Sequence, residues 1–311
     1  MQVILGSGGA IGEPLARELS KYTDKIRLVA RNPQKVNESD ELFPADLTKA
    51  DQVDAAVQGA SVVYLAVGLK YSLKTWQQEW PVLMQNVINA CILHKAKLVF
   101  FDNIYMYAPE AVPHMTEESA IAPSSGKGRV RAALVKQIFD AVATGHLEAL
   151  IARSADFYGP AITTSMLKAL VVDNYIKGKK AMWQADAHKI HSFTYTLDAA
   201  RATAQLGNTP DAFNQVWHVP TSKEKLTGLD FIEMIAGMMG TKPRFSILSK
   251  TMCRILGIFM PLLKELVEMM YQNDRDYFFD SSKFEQRFGW SATPYHEGIK
   301  VMVDEALQAK A

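Results

Sequence analysis

The first twelve residues constrain the fold of this chain more than any other stretch. Gln2 to Leu5 form a short apolar run typical of a buried strand, and Gly6, Gly9 and Gly12 follow at once. An amphipathic pattern then begins, with helical spacing of Leu15, Ala16, Leu19 and Ser20. A strand, a glycine turn and a helix in this order predict the start of a parallel α/β sheet.

The GxxGxxG spacing of these glycines indicates a site for the phosphates of a dinucleotide. Such a site needs a tight turn, close approach of the backbone to a pyrophosphate, and a helix lying against the strand. The helix N-terminus then offers N–H groups and partial positive charge. We expect phosphate contacts from Gly6, Ser7, Gly8, Gly9, Ala10, Ile11 and Gly12. An ordinary βα turn is the alternative.

Composition narrows the range of partners. The chain has 311 residues, of which 48% are hydrophobic, and a formal charge of +1, so it can build a large core but lacks the basic field that nucleic-acid binding requires. Cys91 and Cys253 lie in apolar helical stretches without metal-ligand spacing, and we predict no metal site. The N-terminus lacks the pattern of a secretory signal, and the apolar run 255–263 is too short to span a bilayer. We therefore expect a cytoplasmic enzyme or binding protein with a small-molecule ligand, without a nucleic-acid or membrane partner.

A basic residue ends the second predicted strand, which covers residues 25–33. In a dinucleotide-binding sheet this position lies beside the adenosine ribose. An acidic residue there binds the 2′-hydroxyl, whereas Arg31 can pair with a 2′-phosphate and stack on adenine. Arg31 therefore favours NADP, with NAD as the second choice. A solvated arginine at a strand end is the alternative interpretation.

The next two strands add further candidates for cofactor contact. Residues 43–48 are predicted as a third strand entering a helix, with Asp46 placed either to accept from an adenine amino group or to cap that helix, and Leu47 beside it. Residues 61–68 are predicted as a fourth strand, and Leu65, Ala66 and Val67 lie where the cofactor passes the strand end. A helix over 76–93 and a fifth strand over 97–101 continue the alternation.

In a doubly wound parallel sheet the ligand lies beyond the carboxyl ends of the strands. Residues 66–70 and 102–109 should therefore converge on one crevice. If the segment after the fifth strand stays extended, Asn103, Tyr105 and Tyr107 share one face, because successive side chains of a strand alternate.

Several motifs together resemble the short-chain dehydrogenase/reductase superfamily, and more narrowly its NAD-dependent epimerase/dehydratase branch. They are the GxxGxxG turn, the Asp-Leu-Thr step at 46–48, the strand 97–107 ending in tyrosine, the segment 153–160 and the tail 284–290. The resemblance implies a Rossmann domain at 1–160, completed by about 190–220. It also implies a smaller, mainly helical substrate lobe made of 161–189 and 221–311.

The catalytic positions depart from that family's pattern. Its members use a Ser or Thr after the fifth strand and a YxxxK motif on the next helix, where the tyrosine transfers a proton as hydride moves to or from nicotinamide. Aligning Tyr107 with the tyrosine that ends the family's fifth-strand motif places Asn103 at the Ser position. Lys127 and Arg131 then stand where Tyr and Lys are expected. The chain therefore looks like an atypical member with a degraded active site.

A proton donor must then come from elsewhere, and Tyr105 and Tyr107 are the nearest candidates by position. Packing aromatics with satisfied hydroxyls are the alternative for both. For Lys127 and Arg131 we hypothesise an electrostatic role at the nicotinamide ribose.

Two functions follow from this pattern. The first is an NAD(P)-dependent oxidoreductase or epimerase acting on a small carbonyl or hydroxyl compound, which the resemblance suggests is a sugar nucleotide. The second is a catalytically inactive NADP(H)-binding sensor or regulatory protein, which the altered catalytic positions favour. Both bind the cofactor, and the assembly is expected to be a monomer or a homodimer.

Overall fold

A computed structural model describes residues 1–162 and 165–309. The chain divides into two compact units that interleave along the sequence. The first unit comprises residues 1–106, 126–153 and 199–219, and the second comprises 107–125, 154–198 and 220–311. The units are of comparable length, whereas the sequence predicted a smaller second lobe. Residues 107–125 and 154–160, assigned to the Rossmann domain by resemblance, fall in the second unit.

The strands, in chain order, are β1 (Gln2–Leu5), β2 (Ile26–Ala30), β3 (Glu41–Pro44), β4 (Val62–Leu65), β5 (Lys97–Asp102), β6 (Ala149–Arg153), β7 (Asp156–Tyr158), β8 (Ala181–Gln184), β9 (Phe193–Tyr195), β10 (Val216–His218) and β11 (Phe245–Leu248). The α-helices are α1 (Gly12–Leu19), α2 (Ala50–Val57), α3 (Leu73–His94), α4 (Gly126–Ala143), α5 (Asp173–Ile176), α6 (Thr196–Gly207), α7 (Gly228–Met238), α8 (Lys250–Leu256), α9 (Pro261–Val267), α10 (Ser282–Phe288) and α11 (Tyr295–Gln308). A π-helical turn, Leu167–Val172, precedes α5. Among the described residues, none of the helices has the length and apolar character needed to cross a bilayer.

A seven-stranded parallel sheet forms the centre of the first unit, in the order β10-β6-β5-β4-β1-β2-β3. The chain starts at β1 and winds outward in both directions, so that β1 pairs with β2 on one side and β4 on the other. The predicted doubly wound Rossmann sheet is confirmed. The reversal of strand order between β1 and β4 is where such sheets bind ligands, beyond the carboxyl ends of the strands.

Burial of the central strands explains their composition. All four residues of β1 and of β4 are buried, as expected for parallel strands covered by helices on both faces. On the helix side, α1 turns Leu15, Ala16 and Leu19 inward, as its spacing predicts, while Ser20 is exposed. The sheet thus holds the ends of β1, β4 and β5 in a fixed relation.

The third strand is shorter and earlier than its prediction over 43–48. It ends at Pro44, and Asp46 begins a turn rather than continuing the strand. The N–H of Ala45 still donates to the carbonyl oxygen of Ala30, and the Asp46 carboxylate then accepts hydrogen bonds from Thr48, which turns the chain away from the sheet.

The second unit has its own core. Two parallel strand pairs, β7 with β9 and β8 with β11, pack with helices around Trp183, Phe231 and Tyr295. Close packing here requires glycine at two helix positions. A Cβ at Gly228 would lie 2.3 Å from the Trp183 ring, and one at Gly298 would lie 2.6 Å from the Tyr158 hydroxyl.

Candidate cofactor and active site

Two of the three motif glycines are required by the packing of the turn itself. Gly6 has a φ of 97°, and a Cβ at this position would approach the backbone of Val67 to 2.5 Å. A Cβ at Gly12 would lie 2.6 Å from the carbonyl oxygen of Gly6. Any larger residue would separate β1 from β4 or lift α1 off the turn.

The rest of the turn has an open face. Gly8 and Gly9 are exposed, and a Cβ at Gly8 would meet no atom within 4 Å. The Ser7 hydroxyl is buried and has no hydrogen-bond partner in the part of the chain described. An unsatisfied buried hydroxyl beside an exposed glycine backbone at a helix N-terminus fits a phosphate ligand. Ala10 is half-buried, and Ile11 turns into the core.

The ends of β2 and β3 bring Arg31 and Asp46 near each other. Arg31 is exposed directly after β2, and the N–H of Ala45 donates to the carbonyl oxygen of Ala30 at 2.9 Å. Hydrogen bonds from the backbone N–H and the hydroxyl of Thr48 hold the pKa of Asp46 below its usual value, and the charge of Arg31 acts in the same direction. Asp46 does not cap α2, since Lys49 is the N-cap residue of that helix.

The remaining predicted cofactor residues divide between the core and the strand end. Leu47 and Leu65 are buried in the core of the first unit. Ala66 and Val67 are half-buried at the end of β4, where the N–H of Ala66 donates to the carbonyl oxygen of Leu5 at 2.9 Å. Val67 is the residue against which Gly6 packs.

The segment after β5 turns instead of staying extended. The side-chain oxygen of Asn103 accepts a hydrogen bond from the N–H of Tyr105 at 3.0 Å, which makes an Asx turn. The expectation that Asn103, Tyr105 and Tyr107 share a strand face is therefore wrong. Tyr105 is half-buried in the first unit, whereas Tyr107 is fully buried in the second and forms an antiparallel bridge with Ile121.

Tyr105 belongs to a cluster that also contains Tyr71, Trp76 and Lys127. The Tyr105 ring stacks on Trp76 with centroids 6.1 Å apart, and its hydroxyl lies 3.5 Å from that of Tyr71. The Lys127 ammonium lies 4.7 Å from the centroid of the Tyr71 ring. We call these four residues the tyrosine–lysine cluster.

The position of Lys127 is electrostatically unusual. It lies in the first turn of α4 and is fully buried, although a cation near a helix N-terminus opposes the helix dipole. The face of the Tyr71 ring offsets part of that cost by a cation–π contact. The burial holds a positive charge close to the Tyr71 ring.

Arg131, one turn further along α4, points into the core. Its Nε donates to the Asp102 carboxylate at 2.7 Å, and Arg153 approaches the other carboxylate oxygen at 3.3 Å. The Arg131 guanidinium also packs against the rings of Trp80 and Phe100, each at 4.7 Å. All three charged side chains are at most 5% exposed, so Arg131 is held inside the fold.

Sequence reasoning missed Tyr71 and Trp76. The sequence signal that could have found Tyr71 was the expected convergence of residues 66–70 with 102–109, because Tyr71 directly follows the first of these segments. It precedes Ser72, the N-cap residue of α3. Within residues 1–162 and 165–309, no group of His, Cys, Asp or Glu is arranged to hold a metal ion.

The sequence pattern of the NAD dependent epimerase/dehydratase family matches residues 2–219 of this chain. The chain belongs to this family. The match covers the whole sheet, the glycine turn and the tyrosine–lysine cluster. No curated protein matches the sequence.

Solved structures of other epimerases and dehydratases share the fold of this epimerase/dehydratase-family chain. UDP-glucuronic acid 4-epimerase from Bacillus cereus, in complex with NAD, superposes with a TM-score of 0.82 at 18% identity, covering 100% of both chains. UDP-glucose 4-epimerase from Thermus thermophilus, also with NAD, gives 0.78 at 18% identity over 99% of this chain and 100% of that one. dTDP-glucose 4,6-dehydratase from Bacillus anthracis, with NAD, gives 0.80 at 15% identity over 99% and 96%. Membership of a family of epimerases and dehydratases supports an enzymatic role.

Proposed function

We propose that this chain is an NAD(P)-dependent oxidoreductase or epimerase acting on a secondary alcohol or ketone of a sugar nucleotide. The observation that carries the proposal is the tyrosine–lysine cluster, which lies in the same unit as the glycine turn. The cluster supplies a phenol and a buried cation in place of the family's usual tyrosine. A bound nicotinamide would supply the hydride acceptor for the carbinol carbon and the hydride donor for the ketone.

Tyr105 is the proposed acid and base. Tyr105 is half-buried, and the Tyr71 hydroxyl lies 3.5 Å from its own. As the carbinol carbon loses its hydride, the Tyr105 phenolate takes the hydroxyl proton and becomes the phenol, and it returns this proton when the ketone is reduced. The buried Lys127 charge favours negative charge at the pair of tyrosines during these steps.

Asn103 is the proposed hydrogen-bond donor to the substrate oxygen. Its side-chain oxygen is already used by the N–H of Tyr105, which directs the amide nitrogen elsewhere. The NH₂ group can donate to a carbonyl but cannot relay a proton as a serine hydroxyl does. Positioning by Asn103 and proton transfer by Tyr105 therefore divide the tasks of the family's usual residues.

We assign Arg131 no contact with the ribose. Its proposed role is to hold the Asp102 carboxylate in position. Its guanidinium is fully engaged inside the fold with Asp102 and two aromatic rings. Tyr107, which is fully buried, is left out of the proposed proton transfer.

For the cofactor, the glycine turn would hold the pyrophosphate, with the Ser7 hydroxyl as an additional donor. The exposed Arg31 at the end of β2 supports recognition of a 2′-phosphate, and NADP is the proposed preference. The similar solved structures contain NAD, which the same turn would accept. Two of them are epimerases of UDP-sugars, which supports a sugar nucleotide as the substrate class.

The test is turnover by Tyr105→Phe. Wild-type protein is mixed with UDP-glucose or UDP-glucuronic acid in the presence of NADP or NAD, and 4-epimer formation and nicotinamide absorbance are measured. Loss of the proton-transferring hydroxyl should lower kcat by about 10² to 10⁴. Cofactor affinity, measured by nicotinamide fluorescence, should stay unchanged because the phosphate site is intact.

The matched control is Tyr22→Phe, which removes a hydroxyl from a tyrosine that is 45% exposed in the same unit. It should turn over like the wild type. Normal turnover by Tyr105→Phe would contradict the proposed acid. If the wild type bound the cofactor tightly but converted none of these sugar nucleotides and reduced no carbonyl compound, the regulatory cofactor-binding protein would be the better description.

A further inference from the structure

The helical hairpin formed by α8 and α9 in the second unit carries an exposed apolar tip. Ile258 and Phe259 are 77% and 81% exposed, the highest values among the large apolar side chains described. Four further large apolar residues nearby are exposed as well, namely Met252, Ile255, Met260 and Leu262. Exposed apolar groups of this extent mark interaction sites.

The hairpin is a defined structure. Consecutive backbone hydrogen bonds hold its tip, from Gly257 to Cys253, Phe259 to Leu256 and Leu263 to Met260, with N···O distances of 2.8 to 3.0 Å. A Cβ at Gly257 would approach the backbone nitrogen of Lys264 in α9 to 2.9 Å, so glycine allows the two helices to lie close together. The apolar tip is therefore presented in a fixed conformation.

Only one face of the hairpin is covered by its own unit. Cys253 is fully buried in a small cluster with Leu248 and Met270, and Leu263 packs against that cluster. The exposed residues of the hairpin also include large apolar side chains, Ile255 and Phe259, together with the basic Lys250 and Arg254. A helical element that is apolar on both faces is normally buried on both.

The stretch of sequence that contains the tip carries basic residues only. Between Thr241 and Lys264 the sequence contains no acidic residue, and its basic residues are Lys242, Arg244, Lys250, Arg254 and Lys264. All of these basic residues are exposed. Since the whole chain has a formal charge of +1, this stretch of +5 leaves the remainder at −4. The nearest following acids, Glu265 and Glu268, are half-buried.

We propose that the α8–α9 hairpin is a membrane-surface anchor that inserts Ile258, Phe259 and Met260 into the interface of a bilayer containing anionic lipid. Ile258 and Phe259 are 77% and 81% exposed and Met260 is 54% exposed, so these side chains form a projection rather than a groove. A projection with apolar residues at its tip and cations beside it matches the boundary between acyl chains and anionic headgroups.

The charge argues against a second copy of the chain as the occupant. A two-fold symmetric pair would bring this face against itself, and the basic residues of both copies would face each other. An anionic lipid surface instead neutralises them. The proposed contact lies on the surface, and the nine-residue apolar run 255–263 remains too short to span the bilayer.

The test is co-flotation of the full chain with vesicles. One set contains phosphatidylcholine alone, and the other an equal mixture of phosphatidylcholine and phosphatidylserine. Binding is expected to the anionic vesicles and to weaken as salt is raised. Phe259→Asp should lower the partition coefficient at least about tenfold, because a buried phenyl group is lost from the apolar phase.

A second variant separates charge from apolar contact. The triple substitution Lys250→Gln, Arg254→Gln, Lys264→Gln should lower partition to the anionic vesicles on the order of a hundredfold, since each cation near the surface contributes about fivefold. The control is Leu93→Asp, which makes the same kind of change at a 66% exposed leucine of α3 and should bind like the wild type. All substituted positions are exposed, and the cofactor affinity of each variant verifies that it is folded.

Three results would overturn the anchor. The first is wild-type binding with no preference for the anionic vesicles. The second is a Phe259→Asp variant that binds as tightly as the wild type. The third is a stable dimer in size-exclusion chromatography that dissociates in Phe259→Asp, with no vesicle binding by the wild type, since a second copy would then cover the tip.

Discussion

The glycine turn after β1 and the turn after β5 both lie at the carboxyl edge of the same sheet, but they keep the family's pattern to different degrees. In the glycine turn, Gly6 and Gly12 are each held by contacts that leave no room for a Cβ. After β5, the alignment proposed from the sequence puts asparagine, lysine and arginine at the positions of the usual catalytic residues. The first turn therefore cannot replace Gly6 or Gly12 by a larger residue without displacing the backbone around them. The residues of the turn after β5 can change in type while α4 stays in place.

The two regions also use charge differently. At the phosphate end, Arg31 and Asp46 lie at the solvent-accessible ends of strands, where Arg31 can meet a ligand. At the β5 end, Asp102 and Arg131 are buried and stabilise the core, and Lys127 is buried against tyrosine rings. Mutations in the two regions should therefore separate stability from binding.

The largest expected effect is on stability, from Asp102→Asn. The substitution leaves the Arg131 and Arg153 guanidinium groups buried without their carboxylate, and breaking such a buried pair costs about 3–5 kcal/mol. Urea unfolding of the purified variant measures this. The control is Asp140→Asn on α4, whose exposed ion pair with Lys136 contributes no more than about 0.5 kcal/mol. Equal stability of the two variants would contradict a structural role for Asp102.

The next effect comes from Gly12→Ala. The added methyl group would meet the backbone of Gly6 and Ser7 at 2.6–2.7 Å, and relieving this contact should cost about 2–3 kcal/mol of stability together with cofactor affinity. Gly8→Ala, whose Cβ has no neighbour within 4 Å, should stay within about 0.5 kcal/mol of the wild type. If Gly12→Ala were as stable as Gly8→Ala, the turn would not be held by its glycines in the way described.

A smaller and purely functional effect is expected from Arg31→Ala. Loss of a charge-assisted hydrogen bond to the 2′-phosphate should weaken NADPH binding by roughly ten- to a hundredfold and leave NADH binding unchanged. Fluorescence titration at fixed ionic strength measures both. Arg17→Ala, at an exposed arginine paired with Glu13, should alter neither affinity. Equal weakening of NADPH and NADH by Arg31→Ala would argue against 2′-phosphate recognition.

The smallest effect is on the titration of Asp46 in Thr48→Val. The backbone N–H of Thr48 still donates, but the hydroxyl donor is lost, so the Asp46 pKa should rise part of the way to 3.8. Because the folded-state pKa is lowered, Asp46 stabilises the fold above its unfolded pKa, and this contribution disappears as the pH falls through the folded value. Carboxyl NMR titration checks the shift.

The control for that titration is Thr144→Val, at a threonine whose hydroxyl donates to the carbonyl oxygen of Ala141. It should leave the Asp46 pKa unchanged. An unchanged Asp46 pKa in Thr48→Val would mean that the hydroxyl contributes nothing beyond the backbone N–H.

Much of the sheet could be predicted from local patterns. Apolar runs bounded by polar or glycine residues located β1, β4 and β5 to within a few residues. Parallel strands buried on both faces carry this signal because nearly every side chain in them must be apolar. The end of β3 was less predictable, since the Asp46 turn competes locally with strand pairing.

The site beyond β5 was harder to predict. Alternation along an extended strand placed Asn103, Tyr105 and Tyr107 together, but one hydrogen bond from the Tyr105 N–H to the Asn103 side chain redirects the chain. The spacing of Lys127 and Arg131 on α4 was correct as a helix pattern, yet it could not show that Arg131 turns inward to Asp102. That contact joins residues 29 positions apart.

By itself the sequence determined that β1 leads through a glycine turn into α1 and that the sheet is parallel and doubly wound. These features depend on neighbouring residues, on periodicity and on the steric demands of glycine. Only the tertiary structure decided that Tyr71, Tyr105 and Lys127 form one cluster, that Arg131 belongs to the core, and that the apolar run 255–263 is largely exposed. Such outcomes depend on which distant segments compete for the same buried space, and a local sequence pattern does not predict the result of that competition.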